Sequence, residues 1–451
     1  MISRRRIRLD IKRKGIGGYF VMKNKSIKKL TAMVLSAVMV LSMAACGSGS
    51  SSEIASGDGK AEESDSGMKV QGVTDDEITV YNSSAVSGAF AATGAPINVG
   101  IQAYFDMVNE NGGIDGRKIT FLHTDDEYDP VKGKAAFEEY AYNEGVFAVV
   151  GMFGSGVTQA CLDGIKELGI PAVYFATGIK DLYNDSAVTT AEGSSVFPVQ
   201  PIYLTEGKIM VADAKAYFDA SSVGIIYTSD DTGMDIVEGV KAQASDLGME
   251  VYAEQVAAQA EDVSAAVTAV LKNDPDYVII AAAQATFPTI AKELAAQGNT
   301  APAMTTYING VYSMCEQVYG TINGQYDLYC TAWLDYSGSE EYAAWQEAAE
   351  YLGEEYALNG YAHCGWIAAS VFCEGLRRLE GKEVTWESYI AALEEAPIKN
   401  PFGGTLDFSN GQRMGTTAMY IVKANIDAAT GTGWETYQPM ATLDEVLAMI
   451  Q

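Results

Sequence analysis

The sequence predicts an α/β protein of two doubly wound parallel-sheet lobes, and two observations carry that reading. From residue 74 onward, short β-rich runs alternate with amphipathic helical runs, which is the pattern of βαβ units and a parallel sheet. The alternation comes as two series in tandem, and 451 residues are too many for one ordinary core. Hydrophobic residues at 48% are enough to fill both cores and argue against global disorder.

In the first series, 77–81 reads as a strand. Ile97, Ile101, Tyr104, Phe105 and Val108 mark one face of a helix at the 3.6-residue period, and Asn111-Gly112-Gly113 ends it. Strands follow at 118–123, 146–151 and 172–176, with helices from Pro130 to about 143 and at 156–168 between them. In the second series, helices at 203–218, 234–247, 262–273 and 287–297 alternate with strands at 223–228, 250–256, 277–282 and 304–306. Beyond residue 328 come helices near 340–352, 361–380 and 385–395, strand-like runs at 405–408 and 418–424, and a short helix near 443–450. No short-period repeat occurs, so solenoids and propellers are excluded.

The formal charge of -29 is unevenly spread. Residues 1–45 hold 11 of the 30 Lys and Arg and a single acid, Asp10, so nearly all 59 acids lie beyond them. Such an excess repels nucleic acid, and no basic patch interleaved with aromatics appears after residue 46. From Met22 the chain reads as a basic n-region followed by an apolar run too short to span a bilayer comfortably. Leu41-Ser42-Met43-Ala44-Ala45-Cys46 resembles a bacterial lipobox, which implies cleavage before Cys46 and lipid attachment to its sulfur. Residues 1–45 are accordingly read as signal peptide, with 1–21 either a basic extension or a stretch upstream of the true start. Residues 46–70, Gly/Ser-rich and acidic, read as a tether to the membrane. Five cysteines remain, and Cys315 with Cys330 is the one pairing worth testing.

In open α/β sheets ligands sit beyond the carboxyl ends of the strands. Two such ends carry glycine-and-hydroxyl turns, Gly154-Ser155-Gly156 before a helix and Ala176-Thr177-Gly178 after a strand. Free N–H groups at a helix start, with the Ser155 and Thr177 hydroxyls, suit a carboxylate, although tight turns with helix caps are an equally good account. Enzyme motifs are missing. There is no phosphate-binding lysine loop, and Phe153 stands where a G-x-S-x-G elbow needs its first glycine. His123 and His363, the two histidines, lie in no H-E-x-x-H pattern and read as structural. Asp125-Asp126-Glu127-Tyr128-Asp129-Pro130 lacks the glycine and distal glutamate of a calcium loop and reads as a capped helix start. No cofactor and no metal are expected.

Several stretches carry a family likeness: Gly72 to Ile78, Ser87-Gly88, the run from Val108 to Ile119, Asp125 to Pro130, Gln200-Pro201, Asp230 to Gly233 and Asn359 to Ala362. Together they resemble the leucine/isoleucine/valine-binding proteins, two-lobed periplasmic binding proteins of type I that feed ABC permeases. The resemblance implies three crossover strands near residues 199, 328 and 405, with one lobe from 71–199 plus 328–404 and the other from 200–327 plus 405–451. It implies a small-molecule ligand held by hinge closure, docking on an ABC permease, and no catalysis; a ligand-sensing receptor domain on the same fold is the alternative. Residue by residue it places Ser87, Phe90, Gly154, Ser155, Gly156, Ala176, Thr177 and Gly178 on the first side of the cleft. Asp231, Thr232, Tyr307, Asn309 and Tyr361 fall where the family has second-lobe or closing contacts. One departure matters: 305–310 reads TTYING, with no acid to hold an α-ammonium. Either Asp231 takes that role or the ligand is another small organic acid, an aromatic carboxylic acid or an amide.

Overall fold

The computed structural model describes residues 70–182, 195–409, 411 and 413–450, so residues 1–69, which include the stretch read as signal peptide, Cys46 and all but the last residue of the stretch read as tether, lie outside the described residues. Five strands form the first sheet: β1 (Glu77–Ser84), β2 (Lys118–Asp125), β3 (Ala148–Phe153), β4 (Ala172–Ala176) and β5 (Val196–Phe197). They are all parallel, in the order β2-β1-β3-β4-β5. The second sheet begins with β6 (Ser222–Thr228), β7 (Glu250–Val256), β8 (Tyr277–Ala281), β9 (Ala303–Thr305) and β10 (Leu328–Ala332). A short pair, β11 (Ile398–Lys399) and β12 (Thr405–Leu406), precedes β13 (Ala418–Ala424) and β14 (Trp434–Thr442). The order is β14-β13-β10-β9-β8-β6-β7, parallel except for β13 and β14. The parallel part thus repeats the strand order of the first sheet.

Helices α1 (Ala91–Glu110), α2 (Pro130–Glu138) and α3 (Ser155–Leu168) connect the first strands. Helices α4 (Tyr203–Phe218), α5 (Asp231–Leu247), α6 (Ser264–Leu271), α7 (Thr286–Ala296) and α8 (Tyr312–Ile322) serve the second sheet. Helices α9 (Ser339–Tyr356), α10 (Gly360–Arg377) and α11 (Trp386–Glu394) return to the first lobe, and α12 (Leu443–Ile450) closes the chain against α4. The buried runs Ala148 to Phe153 and Tyr277 to Ala281 are strands covered on both faces, which is why they read as continuous apolar stretches.

Three passages join the lobes, at 198–202, at 333–338 and, among the described residues between β12 and β13, at 407–409, 411 and 413–417. The boundary expected at residue 328 is therefore corrected. Leu328 to Ala332 pairs with β9 on one side and β13 on the other, so it is an interior strand of the second sheet, and the chain crosses after it. The passages hold one another: Thr416 donates to the Val199 carbonyl from its backbone N–H at 2.8 Å and from its hydroxyl at 2.9 Å. Asp129 caps α2 by accepting from the Val131 and Lys132 amides, as its sequence suggests. Cys315 and Cys330 are separate buried thiols, not a disulfide. His363 is buried with Nδ1 3.0 Å from the Tyr336 hydroxyl, while His123 is exposed on β2.

The first lobe is tightened where α1 meets α10. A Cβ on Gly100 would lie 1.8 Å from the Ala362 carbonyl oxygen, and one on Gly365 would lie 1.9 Å from that of Ile97. Backbone presses on backbone here, and no rotamer change relieves an added methyl. Gly100→Ala is expected to cost about 1–3 kcal/mol or more, read as a lower urea midpoint with an unchanged slope.

Candidate ligand-binding site

Strand order reverses between β1 and β3 in one lobe and between β6 and β8 in the other, and such switch points open a crevice at the carboxyl ends. Both crevices face a single cavity of about 360 Å³. Phe90 and Thr93 enter it after β1, Tyr128 after β2, Ser155 and Gly156 after β3, and Ala176 at the end of β4. Opposite them stand Asp230, Asp231 and Thr232 after β6, Gln284 after β8 and Tyr307 after β9. Gln200, Trp333 and Tyr336, from the first two passages, form the floor.

The polar end is built around the start of α3. Gly154, its N-cap, has φ 101, and a Cβ there would also lie 2.7 Å from the Tyr128 ring. No side chain caps α3, so the N–H groups of its first turn face the cavity end with the positive pole of the helix behind them. The Ser155 and Thr177 hydroxyls lie 2.8 Å apart. The Tyr203 hydroxyl is directed at those of Thr177 and Thr232, and the Tyr128 hydroxyl at Ser155. Burial raises both tyrosines above the ordinary phenol range, Tyr128 the more strongly, so they stay neutral. The result is a cavity end of neutral hydroxyls at a helix start, with Asp230 and Asp231 among the residues across from it.

Of the residues singled out in the sequence, Phe90, Ser155, Gly156, Ala176, Asp231, Thr232, Tyr307 and Tyr361 line the cavity. Thr177 stands behind Ser155. Gly178 fits between the Pro201 carbonyl and the Tyr203 and Tyr307 rings, where a Cβ would come within 2.4 Å of that carbonyl. Asn309 is buried in support: it donates to the Ala282 carbonyl and the Thr305 hydroxyl, and its Oδ1 accepts from the Gln284 amide at 2.9 Å. Ser87 is exposed outside the wall, and Gly154 bends the turn without lining it. Sequence reasoning missed Tyr128, Tyr174, Tyr203, Gln284, Trp333 and Trp434. Tyr128 and Tyr203 follow strand ends or open helices and were discoverable by position. Trp434 belongs to a strand the sequence did not reveal.

No Lys, Arg or His is among the described lining residues, and the acids are Asp230, Asp231 and Asp335. Although Asp231 is exposed at the head of α5, loss of hydration beside the cavity, then the Asp230 and Asp181 charges, pushes its carboxyl upward. No group of three His, Cys, Asp or Glu among the described residues could hold a metal.

The lobes touch across the cavity mouth. Gln284 Nε2 donates to the Thr93 hydroxyl at 2.7 Å, and the Tyr361 hydroxyl to the Ile308 carbonyl at 3.2 Å. The Lys180 amide donates to Asp235 at 2.8 Å, and its ammonium pairs with Glu238. Behind the floor, Glu206 is fully buried and accepts from the Thr306 hydroxyl at 2.9 Å, the Tyr307 amide at 2.8 Å and the Thr331 hydroxyl. The Tyr307 hydroxyl in turn donates to the Pro201 carbonyl and lies 3.0 Å from Gln200 Nε2, so Glu206 braces the crossing strand.

A two-lobed α/β body with a solute-sized cleft between facing switch points is the architecture of a solute-binding protein. The chain belongs to the periplasmic binding protein family, whose model matches residues 77–432. It is similar to Leu/Ile/Val-binding protein homolog 3 of Brucella melitensis, at 22% identity over 355 residues, 77% of this chain and 91% of that one. Its fold resembles a fatty acid ABC transporter substrate-binding protein from Thermomonospora curvata, with a TM-score of 0.73, 21% identity, and 83% and 95% of the two chains covered. It also resembles a branched-chain amino acid ABC transporter structure from Thermus thermophilus with bound valine, with a TM-score of 0.70, 17% identity, and 82% and 97% covered.

Burial pushes Glu206 up to about 7, outweighing the three donated hydrogen bonds that pull it down. The folded state therefore holds a proton that the unfolded chain, with its carboxyl near 4.5, has already lost. Stability is expected to fall as pH rises from about 4.5 through about 7. Glu206→Gln should flatten that slope, which urea unfolding at a series of pH values checks.

Proposed function

We propose that this protein is the extracytoplasmic, solute-capturing lipoprotein of an ABC importer, which takes a small carboxylate-bearing solute and closes its lobes over it. The observation that carries the reading is the uncapped start of α3 beside the Ser155–Thr177 hydroxyl pair, aimed into a cleft between two lobes. A carboxylate there meets amide N–H groups, a helix pole and neutral hydroxyls, all of which favour negative charge. Closure follows because the ligand contacts Ser155 on one lobe and Thr232 on the other, and so prefers the shut state. The names of the relatives, which mention amino-acid and fatty-acid solutes, support a small organic acid. No catalytic constellation is needed for this role.

Whether the ligand also carries an ammonium turns on Asp231. It is exposed at the head of α5, and no acid follows β9. That favours an organic acid lacking an amino group over an α-amino acid.

Ser155→Ala and Thr177→Val should each weaken carboxylate binding by about 1.5–3 kcal/mol, roughly tenfold to a hundredfold, without unfolding the protein. Calorimetric titration of hits from a thermal-shift screen reads the change, and unaltered affinity in both variants would refute the assignment. Cys46→Ala should move the protein from the membrane fraction to the soluble one. Retention in the membrane fraction would reject the lipid anchor.

A further inference from the structure

The cavity is longer than a compact solute requires, and its two ends differ in chemistry. Its walls include residues that follow β6, β8, β9 and β10 and residues on β13 and β14. In the second sheet β6 and β13 are separated by β8, β9 and β10, so the slot crosses four strand spacings, about 19 Å. The end near β6 is the hydroxyl-rich one described above. At the other end the wall is formed by Val311 and Tyr312 at the head of α8, Leu358 before α10, and Thr430, Thr432 and Trp434 of the β13–β14 hairpin.

That far end offers little hydrogen-bonding capacity. The Thr430 and Thr432 hydroxyls lie 2.8 Å apart and both donate to the Trp434 carbonyl. The Trp434 indole N–H donates to the Val311 carbonyl at 3.2 Å. None of these six residues is charged, and the threonine and tryptophan donors are already engaged inside the wall; Asp335 after β10, which is hydrogen-bonded to Tyr420 of β13, and Thr436 of β14 are the further polar groups on this side of the cavity. Tyr312 and Leu358 remain 37% and 47% exposed, so an apolar lip stands open beside the slot. An apolar chain lying along it would cover surface that water now wets, which is favourable in proportion to its length.

We infer that the site takes a monocarboxylate with an extended apolar tail, the tail running from the Ser155 end toward the hairpin wall at Tyr312, Leu358 and Trp434. This rests on the carboxylate reading of the α3 end and extends it to the class of solute. The absence of a basic group among the described lining residues is compatible with a single anionic head, which the α3 amides and hydroxyls suffice to hold.

The test is calorimetric titration of the full chain in detergent with straight-chain monocarboxylates from butanoate to decanoate, with valine and leucine alongside. Affinity should rise about threefold to fourfold per added methylene, the equivalent of ~0.8 kcal/mol. Leu358→Gln and Tyr312→Ala change exposed wall positions that the core does not need. Each should lower affinity for octanoate and decanoate about tenfold while leaving butanoate unchanged. Ser155→Ala should weaken every acid alike. Tighter binding of valine or leucine than of decanoate, or a flat dependence on chain length, would overturn the extended-tail inference and leave carboxylate capture standing. Long acids bound with no response to either wall variant would overturn it as well. Failure of all these acids to bind, with no effect of Ser155→Ala on any ligand found by screening, would instead remove the capture reading beneath it.

Discussion

A right-handed crossover helix returns the chain to the same edge of its sheet, so every parallel strand delivers its carboxyl end to one side of the lobe. Two such lobes, placed edge to edge, must therefore bring their loops and helix starts together. Most of the site follows from this constraint. The amides at the start of α3 cannot be satisfied inside the helix, the sheet behind them is closed to water, and the free space in front becomes the place where an acceptor is wanted. Phe90, Tyr128 and Ser155 converge because they leave neighbouring strands of one sheet, although they are separated in sequence by tens of residues.

The site and the hinge share a polar network. Glu206 holds the turn after β9 through Thr306 and Tyr307, Tyr307 reaches the first passage through Pro201 and Gln200, and Gln200 accepts from the Tyr174 hydroxyl in the first lobe. Each of these groups is buried and would be costly unpaired, so their mutual satisfaction specifies one arrangement of the passages. The lip contacts differ in kind. Both pairs need the lobes close, but Lys180 with Glu238 is solvent-exposed and screened by salt, whereas Gln284 with Thr93 is half-buried. A buried floor with weaker contacts at the mouth suits the lobe closure proposed for this protein.

Where the sequence misled, the causes are specific. The apolar face read from Ile97 onward belongs to a helix, α1, that starts earlier, at Ala91, and carries Pro96 inside it, where the apolar period does not show the first turns. Strand β14 contains Pro439 and has no clean alternation; it is an edge strand, bulged against β13, where the missing N–H costs no ladder bond. Helix α8 and strand β10 fell in a stretch of Tyr, Cys and Thr with weak periodicity, and so the second crossing was placed too early. Ser87 was matched through a loop, where a one-residue drift turns a lining residue into an exposed one.

The alternation of apolar periods was enough to establish two doubly wound lobes, because burial repeats every 2 residues in strands and about every 3.6 in helices. The turns after two of those strands also marked Ser155 and Thr177 as candidates, because strand-to-helix turns with glycine and hydroxyls are local features, whereas Thr232 was marked only by the family resemblance. The aromatic walls and the long slot toward Trp434 were not local. Tyr128, Tyr203, Trp333 and Trp434 come from four separate segments and meet only when two sheets face each other. A one-dimensional period records which face of an element is buried, and it carries no record of what lies across the gap.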